Sequence, residues 1–307
     1  MCLVPYVFAR ENDIILIFDS PEEINEHSVI PTEELAPLKI KLLTPDDLNR
    51  EIDRITAIHP WGWNLSLKTF LKESGVTDSL LPDEKQLAKL RDLSHRKTTI
   101  LFYERLQKYM SFPDRLLPVE LFDIKDIENF IDQNKNVFLK APWSSSGRGV
   151  VTNITMEKEM MLQWATGCLR KQGSVMAEKA HDKKADFASE WFCRNGVANF
   201  IGVSYFSTSR RGKYHENHIG DQSEILKLIN SHTSDLTPEL IDIQKKILED
   251  IIAPYYDGPL GIDMLAYGDN KLCPCVEINL RFTMGHYSIA KYCFEQNLYN
   301  PLHEYLR

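Results

Sequence analysis

The sequence predicts a multidomain protein of mixed α/β and α+β class, and three observations carry that expectation. The chain has 307 residues, 43% of them hydrophobic and 26% charged, enough apolar material for more than one compact unit. In the first ninety or so residues short apolar runs alternate with stretches of helical period, the order of an α/β unit on a parallel sheet. The last part of the chain carries four longer strand-like runs, which should build the largest sheet.

Taken in order, residues 13–18 (DIILIF) and 54–59 (RITAIH) read as strands, and residues 65–74 and 84–93 as helices. Ligands of parallel sheets gather at the carboxyl ends of strands, and HPWGWN, residues 59–64, sits at such an end. Its two tryptophans flanking Gly62 read either as a substrate-contacting loop or as an apolar plug between domains. A second unit begins near Ser94. It holds a helix over residues 97–110, a connection through Pro113 and Pro118, a helix at Ile124–Gln133 and a strand at Val137–Lys140. A strand over 150–154, a helix over 158–171 and a strand over 174–178 complete this small α+β unit. The remainder offers strands at 186–194, 198–206, 261–267 and 272–280, with helices at 237–252 and 287–294. The expected division is 1–93, 94–182 and 183–307.

Composition excludes several classes. No run of 18 apolar residues occurs, and the apolar N-terminus is broken by Arg10, Glu11, Asn12 and Asp13, which argues against a membrane span and a secretory signal. A formal charge of −8 argues against generic nucleic-acid binding, which needs a concentrated basic face. Six scattered cysteines lack the density of a disulfide-stapled secreted domain, so the cytoplasm is the expected compartment. Cys273 and Cys275 form a C-x-C without a second pair at zinc spacing, as ordinary strand cysteines do.

Two constellations carry chemistry. The first is VFLKAPWSSSGRGVV, residues 137–151. Lys140 at a strand end stands beside glycines that let backbone N–H groups approach a phosphate, with serine hydroxyls as further donors. No G-K-[ST] follows, so this is not a P-loop; a hairpin without a ligand is the plain alternative. The second constellation is GIDMLAY, residues 261–267, with PCVEINLRF, residues 274–282. Period-two alternation puts Cys275, Glu277, Asn279 and Arg281 on one strand face. A turn near Gly268 should pair the two strands and bring Asp263 to the same place. Two carboxylates and an amide oxygen are hard ligands suited to Mg²⁺ beside phosphates, and Arg281 would stabilise transferring charge. A solvated sheet face with a salt bridge is the bland alternative.

Lys140 with SSSGRGV, VMAEKA ending in Glu178 and Lys179, and the Asp263, Glu277, Asn279, Arg281 set together resemble the ATP-grasp superfamily, in order as well as spacing. The resemblance covers about Ser94 to Ser288. It implies an ATP-grasp fold: a Rossmann-like α/β domain, a small lid carrying the glycine-rich loop and a larger antiparallel-sheet subdomain. It implies ATP and Mg²⁺ (or Mn²⁺) as cofactors. Arg96, or its neighbour Lys97, stands where the family usually has its first phosphate lysine, a departure from the pattern. Lys140 resembles the second ATP lysine, and Ser144, Ser145, Ser146, Gly147, Arg148 and Gly149 resemble the phosphate flap. Glu178 and the backbone of Lys179 and Ala180 resemble the adenine hinge; Asp186, with Glu190 as alternative, resembles a ribose contact. Asp263, Glu277 and Asn279 are similar to the metal ligands, and Arg281 to the arginine beside the transferred phosphoryl group.

The implied reaction is ligation of a carboxylate to an amine or thiol through an acyl phosphate. The alternatives are a kinase-like phosphotransfer, or a nucleotide-binding regulator without turnover. Substrate contacts are expected from the basic loop after residue 204, through Arg210, Arg211, Lys213, Tyr214 and Asn217, or that loop is a solvated hairpin tip. His286 is a further candidate, with a structural histidine as its plain reading. The expected partners are small molecules, with neither nucleic acid nor membrane, and a homodimer is the expected assembly.

Overall fold

The computed structural model describes residues 4–18, 39–144, 149–209 and 214–306, and these contain three sheets. The first is a parallel pair, β1 (Ile14–Leu16) and β2 (Lys41–Leu43), with Ile14 opposite Lys41. The expected parallel pairing is present, but residues 54–59 are not its second strand. Arg54 closes a 3-10 turn at Ile52–Arg54, and residues 55–59 run on without sheet partners. Ile55 and Ile58 pack against Leu48, Leu71, Val76 and Leu81, so burial rather than strand pairing explains the apolar residues of this run.

Helix α1 (Pro45–Leu48) is followed by α2 (Leu65–Glu73) and α3 (Glu84–Leu93). The starts of α2 and α3 are written locally: the Asn64 side chain accepts from the Leu67 N–H, and Asp83 and Gln86 form a reciprocal capping box. Helix α4 (Thr98–Leu106) ends four residues before the expected 110. It is buried through Phe102, Tyr103 and Leu106, and the Tyr103 hydroxyl donates to the Cys275 carbonyl at 3.0 Å.

The second sheet has the order β3-β6-β4-β5, all antiparallel. Its strands are β3 (Val119–Leu121), β4 (Val137–Lys140), β5 (Val150–Thr152) and β6 (Val175–Lys179). Helices α5 (Ile124–Gln133) and α6 (Lys158–Gln172) pack on it through a separate core that includes Ile127, Leu139, Met161 and Val175. Helix α6 stops at Gly173, whose φ of 85° makes a left-handed cap that a side chain would strain.

The third sheet is the largest, with order β11-β10-β7-β8-β9 and antiparallel throughout. It comprises β7 (Lys183–Arg194), β8 (Val197–Thr208), β9 (Tyr214–Asn217), β10 (Gly258–Tyr267) and β11 (Lys271–Asn279). Asn195 and Gly196, both at positive φ, make the two-residue turn between β7 and β8. Helices α7 (Gln222–Asn230) and α8 (Pro238–Ile251) cover one face, packing Ile225, Ile229 and Ile247 on Phe187 and Trp191. On the opposite face, α9 (Met284–Glu295) and the N-terminal 3-10 turn Val4–Phe8 cover Phe192 and Ile201. The rest of that second face is where the candidate site lies.

The five described cysteines are unpaired, and four of them are buried. Burial raises every thiol, Cys193 to about 12 and Cys273 to about 11. A thiolate-specific disulfide reagent at pH 8 should therefore label these five only slowly in a Cys2→Ser variant and rapidly in urea. Fast labelling of the native variant would contradict the packing described. Among the described residues no helix is long and apolar enough to cross a membrane.

Candidate active site

Register places the acidic residues. Asp263 on β10 stands opposite Glu277 on β11 and opposite Ala188 on β7; Gly261 stands opposite Asn279 and Glu190. Directly opposed residues share a face, so Glu190, Asp263, Glu277 and Asn279 lie on one side of the sheet. Asn279 Nδ2 donates to Asp263 Oδ2 at 3.1 Å, and Arg281 Nη2 donates to Asn279 Oδ1 at 3.0 Å. Desolvation pushes the Asp263 carboxyl up to about 8; the charges of Glu277 and Glu190 add to this, and Arg281 and Asn279 oppose it. A divalent cation bound beside Asp263 would act against that shift, as Arg281 does. The donor set thus fits a hard cation, with Asp263, Glu277 and Asn279 as the residues that would hold it. Among the described residues no group of three His, Cys, Asp or Glu side chains forms a metal site; this set is two carboxylates and an amide.

Across from this strand lies the four-stranded sheet. Phe138 pairs with Glu178 and Lys140 with Met176, which brings the Lys140 ammonium into an ion pair with Glu178. The segment after β4 and the acidic end of β11 approach the same side chain, Arg96. Arg96 joins them. Its Nη1 donates to the Ala141 carbonyl at 2.6 Å and to Ser144 Oγ at 2.7 Å, while its Nη2 donates to Glu277 at 2.9 Å. Arg96 Nε is buried with no partner. Lys97, the neighbouring candidate, instead pairs with Asp92 at 2.9 Å on the outside of the helix pair.

The base of the serine-glycine loop is closed by the Ala141 N–H donating to the Gly149 carbonyl at 2.8 Å. Gly149 is required there: a Cβ would sit 2.4 Å from that of Ser144. Ser145, Ser146, Gly147 and Arg148 lie outside the described residues, as do Arg210, Arg211 and Lys213.

The other candidates scatter. The Ala180 N–H is taken by the Asn136 carbonyl at 2.9 Å, so it is not a free donor for a base; Lys179 is on the last position of β6. Asp186 lies on the candidate face of β7 and accepts from Lys183 at 2.5 Å and from Thr208 at 2.6 Å. Tyr214 and Asn217 bond each other at 2.8 Å on β9, the opposite edge of the sheet from Glu277. At about 4.8 Å per strand, that separates them by roughly 19 Å, and the acidic cluster is not where they meet.

His286, the further candidate for a substrate contact, is placed in the core. It is fully buried, with Nε2 3.1 Å from the Trp191 carbonyl and Nδ1 3.0 Å from Thr283 Oγ1. Burial, its largest cause, lowers its pKa, with Glu190 opposing; a neutral ring capping α9 explains the residue. Glu190, the alternative ribose contact, is buried as well. It is 1% exposed and accepts from Ser204 and Thr283, both at 2.8 Å.

The HPWGWN segment divides between its two readings. Trp63 packs between the main core and the N-terminal cluster, as a plug does. Trp61 remains 37% exposed beside Phe282. The Phe282 N–H donates to the Trp61 carbonyl at 2.8 Å, and Gly62 lies against Arg281 Cβ. The segment is therefore a wall of the site at its Arg281 end, a neighbourhood that sequence spacing could not reveal.

Comparison with solved structures identifies this arrangement of sheets as the ATP-grasp fold. The biotin carboxylase domain dimer of Hydrogenobacter thermophilus 2-oxoglutarate carboxylase, in complex with MgADP, ADP and bicarbonate, matches with a TM-score of 0.57 at 15% identity. The match covers 91% of this chain and 60% of that one. Campylobacter jejuni biotin carboxylase, in a β,γ-ATP complex, matches over 96% of this chain and 67% of that one, with a TM-score of 0.54 at 12% identity. Staphylococcus aureus N5-carboxyaminoimidazole synthetase complexed with ADP matches over 91% and 73%, with a TM-score of 0.51 at 14% identity. This chain thus spans 60% of the first of these structures. No protein-family model and no curated protein sequence matches it.

Proposed function

We propose that this protein is an ATP-dependent ligase that activates a carboxylate as an acyl phosphate and joins it to an amine or thiol. The observation that carries the reading is Arg96: one buried guanidinium ties the base of the serine-glycine loop to Glu277 on the acidic strand. A triphosphate lying between those two elements would have Lys140 on one side and Asp263, Glu277 and Asn279 on the other. Arg96 would then exchange Glu277 or Ser144 for phosphate oxygens, with its unpartnered Nε–H as a further donor. A divalent cation held by Asp263, Glu277 and Asn279 would offset phosphate charge.

In the first step a carboxylate oxygen of the substrate attacks the γ-phosphorus, the bridging P–O bond breaks, and ADP leaves. In the second, the acceptor nitrogen or sulfur attacks the acyl carbon, the C–O bond to phosphate breaks, and the acceptor loses its proton. The protein's part is positioning and charge stabilisation. Arg281, anchored through Asn279 and the Phe282 carbonyl, would face charge developing on the transferred group. A soluble, small-molecule role follows, with a homodimer as the working assembly.

The test has two arms. Calorimetry should detect ADP binding in the presence of Mg²⁺, and Lys140→Gln should weaken it about tenfold, the value of one charge-assisted hydrogen bond. An ADP-release screen of carboxylate and amine pairs, read by mass, should then yield a condensed product. Absence of nucleotide binding would overturn the whole reading; ADP release with a phosphorylated and uncondensed product would indicate a kinase-like enzyme instead.

A further inference from the structure

The candidate face of the large sheet continues past the acidic cluster. Along β7, residues Asp186, Ala188, Glu190, Phe192 and Arg194 share that face by alternation, and their pairing to β10 runs without a break from Ala185 to Cys193. Asp186 and Arg194 are therefore about 26 Å apart on one surface, at about 3.3 Å per residue, with Asp263 and Glu277 between them. At the Arg194 end lies a cavity of about 200 Å³ walled by His59, Trp61, Trp63, Tyr256 and Phe282, with Arg194 in its lining. A cavity of about 150 Å³ accommodates a benzene-sized group, so the space suits one aromatic or branched apolar group with a short polar arm.

Its charged groups are unequal. Arg194 Nη1 reaches only the Glu304 and Tyr305 carbonyls, at 3.4 and 3.3 Å, both near the limit of a hydrogen bond. Among the described residues Arg194 makes no ion pair, although Asp257 also lines the cavity. Asp257 is already engaged, accepting the Asn195 N–H at 2.8 Å. The hydroxyl of Tyr256 is spent on the Pro259 carbonyl at 2.7 Å. The guanidinium is thus the underused recognition group, and a planar fork of donors selects a carboxylate.

We propose that this cavity is a binding site for a small carboxylate with an aromatic or apolar body, held by stacking on Trp61 and by an ion pair with Arg194. Its wall is bonded to the strand end that carries Arg281, through the Trp61 carbonyl and the Gly62 contact. Assigning its occupant as a substrate of the ligation rests on the reading given under Proposed function; the binding itself does not. HPWGWN is then a specificity element rather than only a plug.

Calorimetry on the full chain without nucleotide tests this, using 3-phenylpropionate, 3-phenylpropanamide, phenethylamine and acetate as probes. The acid should bind saturably, with the amide and acetate at least tenfold weaker. Arg194→Met and Trp61→Ala should each weaken the acid at least tenfold, and Arg194→Met should leave MgADP binding unchanged. Arg194→Lys, which keeps the charge without the fork, should recover part of the affinity and shows that loss in Arg194→Met is not misfolding. The proposal is overturned if the acid does not bind, if acid and amide bind alike, if the amine binds tighter than the acid, or if Arg194→Met binds as the parent does. Should MgADP bind while the acid does not, this inference fails alone; should the acid bind while MgADP does not, the nucleotide reading fails alone.

Discussion

Gly285→Ala is expected to lower the stability of the fold by about 3 kcal/mol or more, at the upper end of overpacking effects. A Cβ at this position would lie 1.8 Å from Glu190 Oε1 and 2.4 Å from Ser204 Oγ. Neither can move freely. Glu190 is 1% exposed and held by the hydroxyls of Ser204 and Thr283, and Thr283 is also the N-cap of α9, accepting from the Gly285 and His286 N–H groups. Displacing the carboxylate would therefore cost it its buried contacts with Ser204, Thr283 and the His286 ring, and a buried carboxylate without donors is costly. Urea denaturation followed by circular dichroism gives the measurement, with a lower midpoint at unchanged slope as the expected result. A midpoint within error of the parent would mean that α9 does not seat on Glu190 as described. The same substitution at Gly167, where a Cβ meets nothing within 4 Å, should be neutral or stabilising, because alanine is the better helix former.

The contrast between what the sequence discloses and what it hides follows physical range. Helix α5 spans the expected residues, because Asp123 caps it and its apolar stripe is regular. The hairpin of β10 and β11 is legible because pairing of adjacent strands is fixed by a short turn, but counting from that turn sets Asp263 opposite Cys275, and only a register shift between Asp263 and Leu265 brings it opposite Glu277. Strand β9 is polar and four residues long, which leaves no alternation to read. Ile55, Thr56 and Ile58 give residues 54–59 a β-branched, strand-like composition, but pairing needs a neighbour that the sequence alone does not place. The bond from Arg96 to Glu277 crosses 181 positions, so only the resemblance of the whole constellation could anticipate their closeness. Even then the guanidinium is expected on phosphate, whereas here it holds a carboxylate. Glu190 illustrates the opposite error. Alternation places it on the site's face, but its burial depends on α9 folding over it, which strand periodicity does not encode.

Glu277→Gln is expected to reduce ADP release from MgATP, with an active substrate pair, by about a hundredfold or more while the protein stays folded. Glu277→Ala is the less informative variant. It removes the partner of a guanidinium that is 7% exposed, and loss of one member of a buried pair costs about 3–5 kcal/mol; at Glu277, whose side chain is 22% exposed, the lower end applies. Glutamine keeps the shape and one oxygen for the Arg96 Nη2 donor, so stability should fall by less than in the alanine variant. What glutamine removes is the negative charge beside Asp263. In the proposed site that charge helps hold a cation against the phosphates, and a single lost electrostatic contact at the reacting group typically costs 10²–10³ in rate. The discriminating measurement is the dependence on Mg²⁺ concentration. If Glu277 holds the cation, raising Mg²⁺ should restore part of the lost rate in Glu277→Gln and none in Arg281→Gln, whose proposed contact is to the phosphoryl group itself. A Glu277→Gln protein with parental turnover at every Mg²⁺ concentration would remove Glu277 from the metal set and leave it only as the anchor of Arg96.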